Sequence, residues 1–109
     1  GGPSLFIEGD VKNQPILQVW ETALAGAPVL YYFSGGRLKN PITVPTFDGL
    51  WSLDPQEMFL AYVGVTDARK HGKLDLPHIS GIRFSAQVIE FDNRLNIRRI
   101  SNPITHRTL

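Results

Sequence analysis

Hydrophobic and polar positions alternate with a period of two along most of the chain. Ile82, Phe84, Ala86 and Val88 alternate with Arg83, Ser85 and Gln87, which gives an extended strand one apolar and one wet face. Ile16, Gln18, Trp20 and Thr22 alternate with Leu17 and Val19, a strand with apolar character on both sides. Residues 29–33 (Val-Leu-Tyr-Tyr-Phe) and 58–66 are apolar on both faces and rich in β-formers. Weaker strand signals cover 4–8, 42–47 and 95–100. Asp92-Asn93-Arg94 reads as a hairpin connection, because Asp and Asn tolerate the left-handed conformation of a tight turn.

Eight prolines and ten glycines punctuate these runs, the texture of a sandwich or barrel. Pro41 just before the 42–47 segment and Pro45 within it remove backbone donors, so the segment is expected at an edge or in an extended loop. Asp54-Pro55-Gln56-Glu57 carries an N-cap residue, a proline at the first helical position and a glutamate at the third, a capping-box arrangement. The residues after Glu57 have no polar face at helical spacing, so a single helical turn leading into a strand is expected. The fold class is therefore all-β: a small antiparallel sandwich or barrel with at most one short helical turn. Residues 4–109 form one domain, and Gly1-Gly2-Pro3 reads as a tag scar or excision boundary.

Composition narrows the classes without naming an activity. With 109 residues, of which 42% are apolar, folding buries roughly two-thirds of the chain surface, enough for one small core. Absence of cysteine removes disulfides and thiolate chemistry. The longest unbroken apolar run, Met58 to Val65, falls far short of the roughly 20 residues that span a bilayer, so membrane insertion is not expected. The net charge of +1 conceals a split. Residues 1–67 sum to −4 and residues 68–109 to +5, which marks either a polyanion-binding end, complementary surfaces between copies, or charges that mix when strands interleave.

Several clusters could carry chemistry. Asp67, His71, Asp75 and His78 are oxygen and imidazole donors within a dozen residues, a candidate metal loop; Arg69, Lys70 and Lys73 in the same stretch would repel a cation, and no cofactor is expected. Ser80 with His78 is the candidate pair for a small hydrolase, although an extended segment holds i and i+2 side chains about 7 Å apart. Ser34-Gly35-Gly36-Arg37 could form an anion nest of backbone donors, but no helix pattern comes after it as phosphate loops require. Arg94, Arg98, Arg99 and Arg107 occur with no acid between them and are the polyanion-binding candidates. Arg98 and Arg99 point to opposite faces of a strand, and no exposed aromatic accompanies them, so nucleic acid is disfavoured as a partner. No catalytic constellation emerges, and a non-enzymatic module is expected.

The aromatics point elsewhere. Trp20, Trp51, Tyr31, Tyr32 and Tyr62 could serve as sugar platforms, in a carbohydrate-binding or adhesin-like sandwich. The two-sided apolar strands exceed what a small sandwich covers, so part of this surface is expected to meet another subunit. Tyr31, Phe33, Trp51, Phe59 and Tyr62 are the expected interface residues of a homodimer.

Pro28-Val-Leu-Tyr-Tyr-Phe-Ser-Gly-Gly36 and Gly49-Leu-Trp-Ser-Leu-Asp-Pro-Gln-Glu-Met-Phe-Leu-Ala-Tyr-Val-Gly-Val65 give a texture that resembles the protruding (spike) domain of small non-enveloped RNA-virus capsid proteins, those of crustacean nodaviruses in particular. The likeness lies in the strand-and-turn layout, with no residue motif that carries a site across. It implies a capsid domain on the virion surface that mediates dimer contacts and meets a host receptor or glycan.

Overall fold

The computed structural model describes residues 2–9, 15–76, 81–91 and 98–108. It is all-β, with ten strands and one 3-10 turn among those residues. The strands are β1 (Ser4–Glu8), β2 (Ile16–Trp20), β3 (Pro28–Ser34), β4 (Arg37–Thr43), β5 (Leu50–Leu53), β6 (Met58–Val65), β7 (Gly72–Asp75), β8 (Arg83–Phe91), β9 (Arg98–Ile100) and β10 (Ile104–Arg107). Every strand pair is antiparallel.

Three layers result. A three-stranded sheet has the order β1-β2-β7, and the central sheet runs β10-β8-β3-β6, with β9 also on β8. A two-stranded ribbon, β4-β5, forms the third layer. The period-two pattern decides which residue faces which neighbour. Val29, Tyr31 and Phe33 of β3 and Phe84, Ala86 and Val88 of β8 point to one side, where they pack with Leu5, Leu17 and Val19 of the first sheet. Tyr32 and Ile89 point to the other, against Trp51 and Leu53 of the ribbon and Ile100. Layers about 10 Å apart span roughly 20 Å between outer backbones, in keeping with the shortest Cα extent of 19 Å.

The two-sided apolarity of β3 is thus satisfied within the chain. Tyr31, Phe33 and Trp51, expected at a subunit interface, are core residues instead. Tyr31 is packed closely enough that burial pushes its hydroxyl pKa up to about 12.

Polar groups tie the layers together. Gln87, on the ribbon side of β8, is fully buried; its Nε2 donates to the carbonyls of Leu50 (2.7 Å) and Ser101 (2.8 Å), and its Oε1 accepts from Ser52 N–H (2.9 Å). β9 and β10 flank β8 as one strand interrupted by a bulge, since Ser101, Asn102 and Pro103 oppose only Gln87 and Val88. The bulge frees Asn102, whose side-chain amide exchanges two hydrogen bonds with the backbone of Leu5 (2.8 and 2.9 Å), as a neighbouring strand would. Glu90 is buried at the end of β8, where it accepts from Ala23 N–H (2.7 Å) and from Arg99 Nη1 (3.0 Å).

The local expectations fare unevenly. Asp54 caps a single turn, Pro55–Glu57, but its carboxylate accepts from Gln56 N–H rather than from the third-position amide of a capping box. Pro41 lies in the peripheral ribbon, as its missing donor requires. The packed body reaches back beyond Ser4: Pro3 is fully buried, and Gly2 abuts the Ile100 carbonyl too closely for any side chain. The expected hairpin at 92–94 lies outside the described residues.

Candidate functional site

Strand β6 is the feature that the rest of the fold leaves uncovered. It pairs with β3 along one edge and ends the central sheet. The first sheet and the ribbon are centred over β3 and β8, so among the described residues both faces of β6 are only partly covered. Phe59 is 60% exposed, Leu60 52%, Tyr62 51%, Val63 63% and Val65 66%. Leu60 and Tyr62 alternate with Val63 and Val65 across the strand, so the exposed apolar groups lie on both of its faces.

An open apolar edge is unusual. Folded proteins protect edge strands with charge, proline or bulges. Residues 58–65 contain no charge and no proline. Their one irregularity is at Phe59, where Met58, Phe59 and Leu60 oppose only Phe33 and Ser34. Gly64 is fixed by packing: a Cβ there would sit 2.9 Å from Tyr31 Cε2. Beside β6 an apolar groove of about 290 Å3 runs past Phe33, Phe59, Tyr62, Leu76 and Phe84. Aromatic side chains alone carry about 150–250 Å2 each. The half-exposed set on β6 therefore offers on the order of 500 Å2 per chain, or about 1,000 Å2 across a symmetric pair, the lower bound of a specific interface.

Among the sequence candidates for an interface, Phe59 and Tyr62 share this surface. Leu60, Val63 and Val65 join them; the sequence marks these three only as part of an apolar run, without its position in a sheet.

The remaining candidates are dispersed or already engaged. Asp67 organises the turn between β6 and β7: its Oδ1 accepts from Arg69 N–H and His71 N–H (both 2.9 Å), and Lys70 takes φ 65°. The His71 amide bond, with the Arg69 amide and the charges of His71 and Lys73, holds the Asp67 carboxyl below its ordinary pKa. Asp67 thus acts as a turn residue. Among the described residues no three His, Asp or Glu side chains converge on a metal position. His78 and Ser80 lie outside the described residues.

At the Ser34–Arg37 turn, the donors expected to cradle an anion are in use. Gly35 N–H donates to the Glu57 carbonyl (3.0 Å), Gly36 N–H donates to Ser34 Oγ (3.3 Å), and the Glu57 carboxylate packs against Gly36. Of the basic candidates, Arg94 lies outside the described residues. Arg98 donates to Thr46 Oγ1 (2.7 Å), Arg99 pairs with Glu90, and Arg107 stands opposite Arg83 on β10–β8. Arg98, Arg99 and Arg107 therefore form no continuous row.

Trp20 is exposed on the outer face of the first sheet, but its ring is engaged. His71 stacks flat on it (4.3 Å between centroids, 1° between planes), Phe6 meets it at 78°, and its indole N–H donates to Gln18 Oε1 (2.9 Å). Tyr32 and Trp51 pack edge to face inside the second core. No helix among the described residues is long and apolar enough to cross a membrane. Comparison of the chain with protein-family models, curated proteins and solved structures finds no match.

Proposed function

We propose that this domain is a non-enzymatic assembly module that pairs with a second copy of itself through β6. The observation that carries this reading is an uncharged eight-residue edge strand exposed on both faces. Such an edge offers a ladder of backbone groups together with apolar side chains above and below the sheet. A second copy supplies the same elements in reverse direction, because antiparallel pairing of identical strands obeys a two-fold axis. The pair forms one continuous sheet across two protomers, in which the apolar side chains of the two β6 strands become cross-strand neighbours on both faces.

In its most specific form the module is the protruding domain of a small non-enveloped RNA-virus capsid protein, displayed on the virion surface, with dimer contacts through β6 and the outer layers turned to a host receptor. The support is the resemblance in strand-and-turn layout together with this paired edge. A glycan-binding sandwich draws less support, because Trp20, the exposed tryptophan, has its ring contacted by His71 and Phe6.

Light scattering and sedimentation velocity test the pairing. The unmodified domain is expected to be a dimer, and Tyr62→Lys combined with Val63→Glu, which places charge on both faces of β6, a folded monomer. Dimerisation should be indifferent to salt, because β6 carries no charge to screen. A monomeric unmodified domain at high concentration overturns the proposal, as does an undiminished dimer in the double variant.

A further inference from the structure

A second concave site lies on the far side of the molecule from the first sheet, where the ribbon meets the β9–β10 bulge. Four residues of β4, Leu38 to Pro41, oppose the single residue Ser52 of β5, so β4 bows outward. The bow opens a groove of about 530 Å3, within the range of small-molecule sites. Leu50, Pro41 and Pro103 give it apolar walls, and Arg37 and Lys39 stand at its rim.

Three observations define what it takes. Arg37 and Lys39 are both exposed, and neither is in an ion pair among the described residues. No carboxylate of the described residues lines the groove, and these two are the only cations of residues 1–67 apart from Lys12. Ser52, between the core residues Trp51 and Leu53, is only 5% exposed and lines the groove, yet its hydroxyl makes no hydrogen bond among the described residues, while its amide is spent on Gln87. No buried side-chain polar atom among the described residues lacks a partner, so this hydroxyl is open to the groove and free to bond water or a ligand there.

We infer that this groove binds a small organic carboxylate, with the anionic group held by Arg37 and Lys39, a polar atom on Ser52 Oγ, and the body against Leu50 and Pro41. Arginine matches a carboxylate with two parallel donors, and lysine adds a point charge. The apolar walls select a ligand with a body over an inorganic ion. The carboxylate could sit on an aliphatic chain or on an acidic sugar, and the probes separate the two.

The test is an amide-resolved NMR titration of the intact domain with hexanoate and with glucuronate, each against a neutral counterpart, hexanol and methyl glucoside. Saturable shifts by about 10 mM at Lys39, Asn40, Gly49, Leu50 and Ser101 are expected with a carboxylate and absent with its neutral counterpart. The better-binding carboxylate assigns the body as chain or sugar. Arg37→Gln with Lys39→Gln, both at exposed positions, should weaken binding about tenfold or more, the loss of at least one charge-assisted hydrogen bond, while the rest of the spectrum is preserved. Absence of localised saturable shifts with both carboxylates overturns the inference. So does equal binding of the neutral compounds, or unchanged affinity in the double variant.

Discussion

Gly72→Ala is the sharpest probe of how the sandwich is packed. Gly72 begins β7 opposite Val19 and has an ordinary strand backbone, with no left-handed φ to protect. On chain entropy alone, alanine should therefore stabilise the domain by about 0.4–1 kcal/mol. Packing argues the reverse. A Cβ at Gly72 would lie 2.5 Å from the Tyr31 hydroxyl oxygen and 2.6 Å from Val19 Cγ1. Neither neighbour can yield easily. Tyr31 is pinned from the other side by Gly64 and sits in the core with Val19, both essentially inaccessible to solvent. Overpacking of this kind costs about 1–3 kcal/mol, which outweighs the entropic gain. The expected net loss of about 1–2 kcal/mol should lower the melting temperature by roughly 4–8 °C per kcal/mol, as for domains of this size. Urea denaturation with calorimetry reads it, and the Tyr31→Phe background isolates the cause. That substitution removes the nearer clash and leaves the Val19 contact, so Gly72→Ala should cost less there, by about half. A neutral or stabilising Gly72→Ala refutes the packing argument, and an equal cost in both backgrounds refutes the role of the hydroxyl.

Buried ionisable groups give two further outcomes. Burial raises the Tyr31 pKa to about 12 from its ordinary 10.0, so the folded state holds this proton more tightly than the unfolded chain. Its stabilising contribution is complete below pH 10 and is lost as pH rises to about 12, a fall of roughly 2–3 kcal/mol at 1.36 kcal/mol per unit; denaturation curves across this window should show that fall in the unmodified domain and lack it in Tyr31→Phe. Arg99→Ala leaves the buried Glu90 carboxylate with Ala23 N–H as its donor and should cost about 3 kcal/mol, and Glu90→Gln, which keeps one acceptor oxygen and sets an amide NH2 against the other donor, should also destabilise the domain; a loss below about 1 kcal/mol for Arg99→Ala would show the pair to be dispensable.

The strongest strands are legible in the sequence because they obey one rule along their whole length. β8 alternates cleanly, β3 and β6 are continuous apolar runs, and β1 has the bounds its pattern predicts. β5, β7 and β10 are not legible. They are four residues each, and Gly-Lys-Leu-Asp or Ile-Thr-His-Arg becomes a strand only because a long neighbour supplies the ladder. The ribbon is hidden for the same reason, since the bow at Leu38–Pro41 breaks the alternation that would announce β4. Tyr31, Phe33 and Trp51 look like interface residues because the pattern does not disclose that β3 is covered on both faces, by the first sheet over Tyr31 and Phe33 and by the ribbon over Tyr32. The Trp20–His71 stack is equally invisible, because it depends on the β2–β7 register carried past its last pair, across fifty-odd residues of chain.

The charge split and the exposed edge have a common origin in this topology. First-half strands pair with second-half strands in both sheets, β2 with β7 and β3 with β8. The acidic and basic halves are thereby interleaved in space. β6 pairs with β3 on one side and with nothing among the described residues on the other. In sequence β3 and β6 look alike, two runs apolar on both faces. Sheet order alone separates them, burying the first between β8 and β6 and leaving the second at the rim. An apolar strand at that position is an aggregation hazard unless something covers it in a defined geometry. A second copy does so with a single closed contact, because each β6 consumes the edge of the other and leaves none to propagate.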